Sequence, residues 1–219
     1  MTTMRERLRG LPVLPAGLPG WDVPDLAALP RTPHDLFEAW FVEAVGAGAS
    51  APHATTLSTV SVAGGARART VLLTDLTAAG WWFAGHATSP KGRELAAEPR
   101  AALTFLWRET GRQVRVAGEV SSHPDAGAQD FRGRRPPSRA AGLVDHQSEV
   151  LDSLAEHRAA WSASLERVTA DPDLVAPSWT AWCLDASDVE FWSTGDGTGQ
   201  TRVRYRRTAA AWEPELLWP

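Results

Sequence analysis

Cysteine is almost missing from this sequence: the 219 residues hold one, Cys183. A single thiol excludes an intrachain disulfide, and a reducing cytoplasm is the simplest compartment for such a chain. Long apolar runs are missing too, and none approaches the roughly 18 residues that a membrane span requires. The opening MTTMRERLRG has basic residues but no apolar stretch behind them, so no secretory signal is expected. Positive charge is not in excess either. The net charge of −4 excludes a global basic field for nucleic acid or an anionic membrane. Familiar catalytic motifs are also absent, with neither a serine nucleophile elbow nor a P-loop. The six histidines (34, 53, 86, 123, 146 and 157) show no paired metal spacing, so no metal centre is expected. His146, beside Gln147 and Ser148, is either a ligand contact or an ordinary surface histidine.

Lysine is the most informative scarcity. Lys91 stands alone beside 21 arginines in a chain rich in Ala, Arg, Gly and Pro, a bias against lysine codons. It is either a chance survivor of that bias or a residue whose task arginine cannot perform. Its setting, Ser89-Pro90-Lys91-Gly92-Arg93-Glu94-Leu95, reads as a turn opening a helix. A compact ammonium beside the free N–H groups of a helix start suits an anion such as phosphate.

What is abundant points to an ordinary globular protein: 43% hydrophobic and 22% charged residues, enough chain for one large domain or two small ones. Eleven tryptophans are chiefly core or interface material, with stacking on a flat ligand as the sharper alternative. Residues 1–32 carry much of the proline and read as an extended arm, either lying on a partner subunit or free; residues 33–219 read as the folded domain. Pro33 to about Ala47 reads as a helix, with Leu36, Phe37, Trp40, Phe41 and Ala44 on one face. Strands follow at Thr56–Val62, Ala68–Asp75, Gly80–His86, Ala101–Trp107 and Arg112–Ser122, with the helix Pro90–Glu98 among them. Residues 124–133 and 147–169 read as helices separated by a loop over 134–138. Trp179–Leu184 and Val189–Trp192 read as two strands, a glycine-rich loop spans Ser193–Gln200, and Arg202–Arg207 with Trp212–Trp218 form a closing hairpin. Short strands in series with a few inserted helices predict a mainly β fold, an antiparallel barrel or sandwich, and exclude a doubly wound parallel sheet.

Polar residues gather at strand ends and loops: Arg69, Arg112, Gln113, Arg134, Ser138, Gln147, Ser148, Trp192 and Arg202. Gln147 and Ser148 are expected at a helix start, where hydroxyl and backbone donors suit an anion. Singly, each arginine reads as a solvated or rim residue. Collectively the set suits a flat, hydrogen-bonding, phosphorylated ligand.

The motifs RTVLLT, SPKGRELAAEPRAAL, GRQVRVAGEV, RGRRPPSRAAG, HQSEV, VEFW and RVRYRR with a terminal LLWP occur in that order from about residue 33 onward. In these the chain resembles the pyridoxamine 5′-phosphate oxidase-like flavoproteins, FMN-binding split β-barrel homodimers. WWFAGHATSPKGREL is most similar to the branch acting in phenazine biosynthesis, which oxidises reduced tricyclic intermediates and also carries a proline-containing N-terminal arm. The resemblance implies that Arg69 and Lys91 hold the FMN phosphate and that the strand Thr70, Val71, Leu72, Leu73 and Thr74 runs along the flavin. It implies further flavin contacts from Ala84, Gly85, Gln113, Trp192 and Arg202, with Gln147 and Ser148 supplied by the other subunit. Pro90 replaces a common basic residue. At the substrate positions the sequence reads Thr74, Asp130, Arg134, Ser138, Thr198 and Gln200, where the vitamin enzyme has lysine, tyrosine, arginine, serine, arginine and histidine. A lost cation and an added carboxylate disfavour a phosphate dianion. The implied activity is an FMN-dependent oxidase acting on a reduced dihydroaromatic or amine-bearing intermediate of secondary metabolism, with O₂ as acceptor. Asp130 is a candidate grip for an amine or cation, and no catalytic residue is assigned. Three other readings stay open: a pyridoxamine or pyridoxine 5′-phosphate oxidase, a nicotinamide-dependent flavin reductase, and a flavin-binding protein without chemistry.

Overall fold

A computed structural model describes residues 2–23, 25–195 and 199–219. The strands are β1 Ala54–Val60, β2 Ala66–Thr77, β3 Gly80–His86, β4 Arg100–Trp107, β5 Arg112–His123, β6 Trp179–Ser193, β7 Thr201–Arg207 and β8 Trp212–Leu216. They form one sheet in the order β3-β2-β1-β4-β5-β6-β7-β8. A further β3–β6 pairing closes β1 to β6 into a six-stranded antiparallel barrel, the mainly β architecture expected from the sequence. Two compact units can be separated: Met1–Pro52, Thr104–Arg115 and Asp188–Pro219 in one, His53–Leu103 and Val116–Ser187 in the other.

The first unit is built on aromatic packing. Helix α2 (Pro33–Gly46) starts at Thr32, whose side chain accepts from Asp35 N, with Pro33 in the first turn where its missing N–H does no harm. Its buried face carries Leu36, Phe37, Trp40 and Ala44. Trp40 meets Phe191 edge-on with ring centroids 5.2 Å apart, and Phe37 meets Phe105 at 4.9 Å. The Tyr205 hydroxyl donates to the Pro30 carbonyl at 2.9 Å, fixing the end of the arm. The arm itself is not wholly extended. Met4–Arg9 forms a helical turn (α1) with a Thr3–Glu6 capping box and no buried residue, and Leu26–Ala28 forms a 3₁₀ turn.

The second unit holds β1 to β3 and helices α3 (Pro90–Ala97), α4 (Pro124–Gly133), α5 (Pro136–Val144) and α6 (Leu154–Ala170). Phe131, Ala140, Leu143, Val168 and Ala176 make a buried cluster among the helices. Three expectations are corrected here. Residues 134–138 are not all loop: Pro136 opens α5, because proline fits a helix's first turn and Ala140 and Leu143 then bury. The last helix begins at Leu154, not 147, with Ser153 capping it by accepting from Glu156 N; Asp145 and Ser148, both at positive φ, break any earlier helix. Gln147 and Ser148 therefore lie in a loop and not at a helix start. Finally, β6 is one strand of 15 residues. Its middle, Asp185-Ala186, runs past Gly118, where a Cβ would come within 2.0 Å of the Asp185 carbonyl. Glycine on β5 lets the strand continue through a stretch whose composition reads as a turn.

Candidate functional site

Strand β2, strand β3 and the start of α3 converge on Lys91. Ser89 caps α3 by accepting from Gly92 N at 3.3 Å, and Pro90 occupies the first turn. Lys91 is 7% exposed and forms no ion pair with a carboxylate among the described residues. Its ammonium donates to Ser89 Oγ at 3.1 Å and to Gln147 Oε1 at 2.6 Å. The nearby Glu94 carboxylate is taken by Arg69 at 2.5 Å and by the Thr59 hydroxyl at 2.6 Å. Burial, and then the charge of Arg69, pull the Lys91 pKa down to about 8, against a smaller opposing pull from Glu94. Gly85 makes room for this side chain: a Cβ there would stand 2.9 Å from Lys91 Cε and 3.1 Å from Nζ.

A cavity of about 720 Å³ opens beside these groups. Arg69, Thr70, Val71 and Leu72 of β2, Ala84, Gly85 and His86 of β3, and Lys91, Arg134, Ser138, Gln147 and Trp179 are among its lining residues. A second depression shares Arg69, Lys91 and Gln147 and adds Arg67, Arg93 and Ser148. Most of the expected phosphate and strand contacts thus come together within one chain. The resemblance assigns Gln147 to the other subunit, yet here it already reaches the lysine of its own chain. Leu73 and Thr74 do not line the cavity; the β2–β3 register shifts between Leu73 and Asp75, leaving Thr74 exposed at a bulge.

The expected substrate end is partly self-occupied. Arg134 Nε donates to Asp130 Oδ2 at 2.8 Å, Trp179 Nε1 donates to the same oxygen at 2.9 Å, and the guanidinium lies 4.7 Å from the Trp179 ring centroid. Asp130 is therefore engaged with its neighbours, which argues against the expected grip on an amine. Ser138 lines the same cavity.

Gln113, Trp192, Gln200 and Arg202 belong to the other unit, and Thr198 lies outside the described residues. Trp192 and Arg202 are paired across β6 and β7, and Trp192 Nε1 donates to Gln200 Oε1 at 2.7 Å. Arg202 binds Glu190 at 2.6 Å, while its Nε is buried without a hydrogen-bond partner among the described residues.

Sequence reasoning missed His86 as a site residue, along with Asp145, Ser178 and Trp179. His86 Nδ1 lies 2.9 Å from Asp145 Oδ1 and 2.8 Å from Ser178 Oγ. Burial lowers its pKa, with Asp145 pulling the other way and Lys91 adding to the depression. No local motif could have announced this cluster, because its members lie as far as 92 positions apart.

The donor set fits a flavin mononucleotide. A lysine held below its usual pKa by burial, and then by a neighbouring arginine, is stabilised by a dianion. The cavity beside it is of ligand size.

Comparison with known proteins agrees. The family profile described as pyridoxamine 5′-phosphate oxidase matches residues 41–170, and that of the pyridoxine 5′-phosphate oxidase C-terminal dimerisation region matches residues 179–219. The chain is 37% identical over 194 residues to the pyridoxine/pyridoxamine 5′-phosphate oxidase of Rhodopseudomonas palustris (strain BisA53), covering 85% of this chain and 89% of the relative. The oxidase of the same name from Nocardioides sp. (strain ATCC BAA-499 / JS614) is 36% identical over 198 residues, covering 89% and 92%. Among solved structures, PhzG from Burkholderia lata 383, in complex with tetrahydrophenazine-1-carboxylic acid, superposes with a TM-score of 0.85 at 28% identity, covering 93% of this chain and all of that one.

Proposed function

The chain belongs to the pyridoxamine 5′-phosphate oxidase family, and from that membership we propose an FMN-dependent oxidase for a planar, reduced, phosphate-free aromatic substrate of phenazine type, with O₂ as acceptor. FMN, held by Lys91 and Arg69, would supply the redox chemistry between a reduced substrate and O₂. The chain's own residues bind and orient. Lys91 and Arg69 hold the phosphate, with the lysine protonated below about pH 8. Thr70, Val71 and Leu72 flank the flavin, and the resemblance adds ring contacts from Gln113, Trp192 and Arg202. The matched dimerisation region supports a homodimer. Leu72, which lines the cavity yet is 47% exposed, supports a partner subunit closing the flavin site.

The observation that carries the substrate class is the Asp130–Arg134 pair. It cancels the one cation that the vitamin enzyme's phosphate pocket would retain here, while Thr74 removes another. Trp179 lines the same cavity and adds aromatic surface that suits a flat ring. The ligand of the Burkholderia structure is of that kind. A pyridoxine 5′-phosphate oxidase is the second reading, favoured by the curated relatives. Purified protein, yellow with FMN, is expected to bleach anaerobically with a dihydrophenazine carboxylic acid and to recolour in air. Bleaching by NADPH alone, with no response to the dihydrophenazine, would replace the oxidase by a reductase.

A further inference from the structure

We infer that Asp145 is a positioning residue for the cofactor phosphate: it pins the turn carrying Gln147 and Ser148 to the turn that opens α3. The inference rests on the phosphate reading of Lys91. Asp145 follows α5 with φ of 51°, a left-handed conformation that a non-glycine residue keeps only when its surroundings hold it. Its carboxylate does so. Oδ1 accepts from the Thr88 hydroxyl at 2.7 Å and stands 2.9 Å from His86 Nδ1, and Oδ2 accepts from the Ser178 hydroxyl at 2.5 Å.

Of these three partners, His86 itself lines the cavity beside Lys91. Thr88 immediately precedes Ser89, the cap of α3, and Ala87 N donates to the Ser178 carbonyl at 2.7 Å. One carboxylate thus joins the end of β3, the cap of α3 and the residue before β6. Two positions further on, Gln147 reaches Lys91. Between Asp145 and the next helix the chain has no helix or strand, and Ser148 is again at positive φ, 70°. Within that turn Glu149 N donates to the His146 carbonyl at 3.1 Å, and Asp145 ties its start to the rest of the fold. His86 tightens the pin when charged. The groups facing it are Asp145, which favours its charge, Lys91, which opposes it, the Gly142 carbonyl, which accepts from it, and the edge-on Trp179 ring.

The test compares FMN with riboflavin, which lacks the phosphate, by fluorescence titration of the flavin-stripped full-length protein. Asp145→Ala is expected to weaken FMN about tenfold and riboflavin less than about twofold. Asp145→Asn should fall between, because its single amide oxygen still accepts from one of the two hydroxyls. A preference for FMN over riboflavin unchanged in Asp145→Ala overturns the inference. Lys91→Ala separates the two levels: if it too leaves the preference unchanged, the phosphate reading itself is wrong. Should Asp145→Ala fail to fold, Thr88→Val decides, since it removes one donor to the same carboxylate. A selective loss of FMN affinity of about threefold supports the pin, and an unchanged preference refutes it.

Discussion

Replacing Lys91 with methionine separates stability from binding. In the flavin-free protein the ammonium is buried beside Arg69, and its pKa falls from 10.5 to about 8. At 1.36 kcal/mol per unit, that depression costs about 3 kcal/mol of stability at neutral pH. The unfolded chain binds the extra proton between about pH 8 and 10.5, so the cost is full below about pH 8 and is relieved as pH rises through that window. Methionine removes the cost but also the bonds to Ser89 and Gln147, worth about 1 kcal/mol each. The net gain is about 1 kcal/mol, or about 2–4 °C in Tm for a chain of this size. FMN affinity should move the other way, falling at least about tenfold, or about 1.4 kcal/mol. A thermal melt of the stripped protein and a fluorescence titration with FMN at pH 7 measure both. Wild-type affinity should also decline as pH rises past about 8, where Lys91 loses its proton, and the variant should lack that decline. A variant that melts lower and binds FMN as tightly as wild type would refute the argument.

Other perturbations test neighbouring parts. Gly85→Ala would push a Cβ to 2.9 Å from Lys91 Cε, so FMN binding by titration should weaken about fivefold with far-ultraviolet circular dichroism unchanged. Asp130→Asn frees the Arg134 charge and should raise kcat/KM for pyridoxine 5′-phosphate about tenfold, measured as peroxide release. Trp40→Ala empties a fully packed site between α2 and Phe191 and should cost about 3–5 kcal/mol in urea unfolding.

The sequence made legible what local chemistry controls. Gly80 and His86 bound β3 as expected, and Pro33 and Pro90 mark helix starts that the fold keeps. The setting of Lys91 was legible for the same reason: Ser89, Pro90 and Lys91 are neighbours in sequence and form one helix start. Pro136-Pro137 carried an ambiguous signal, since proline suits both loops and first turns, and burial of Ala140 and Leu143 decided it. The expected helix start at 147 fails at Ser148, whose positive φ breaks a helix there. Long-range partners were out of reach. Neither the pairing of Asp130 with Trp179, 49 positions away, nor the His86–Asp145–Ser178 cluster leaves a trace in any short window. Asp130 shows the cost of that blindness: the sequence offered a free carboxylate, and the fold gives it to Arg134 and Trp179.

The central claim is that this family member discards the phosphorylated vitamin for a flat, phosphate-free ring. One measurement meets it directly: the ratio of kcat/KM for a dihydrophenazine carboxylic acid to that for pyridoxine 5′-phosphate, taken on the same FMN-loaded protein by oxygen uptake. The account predicts a ratio above about one hundred. A ratio below one would contradict it and return the protein to vitamin B6 metabolism.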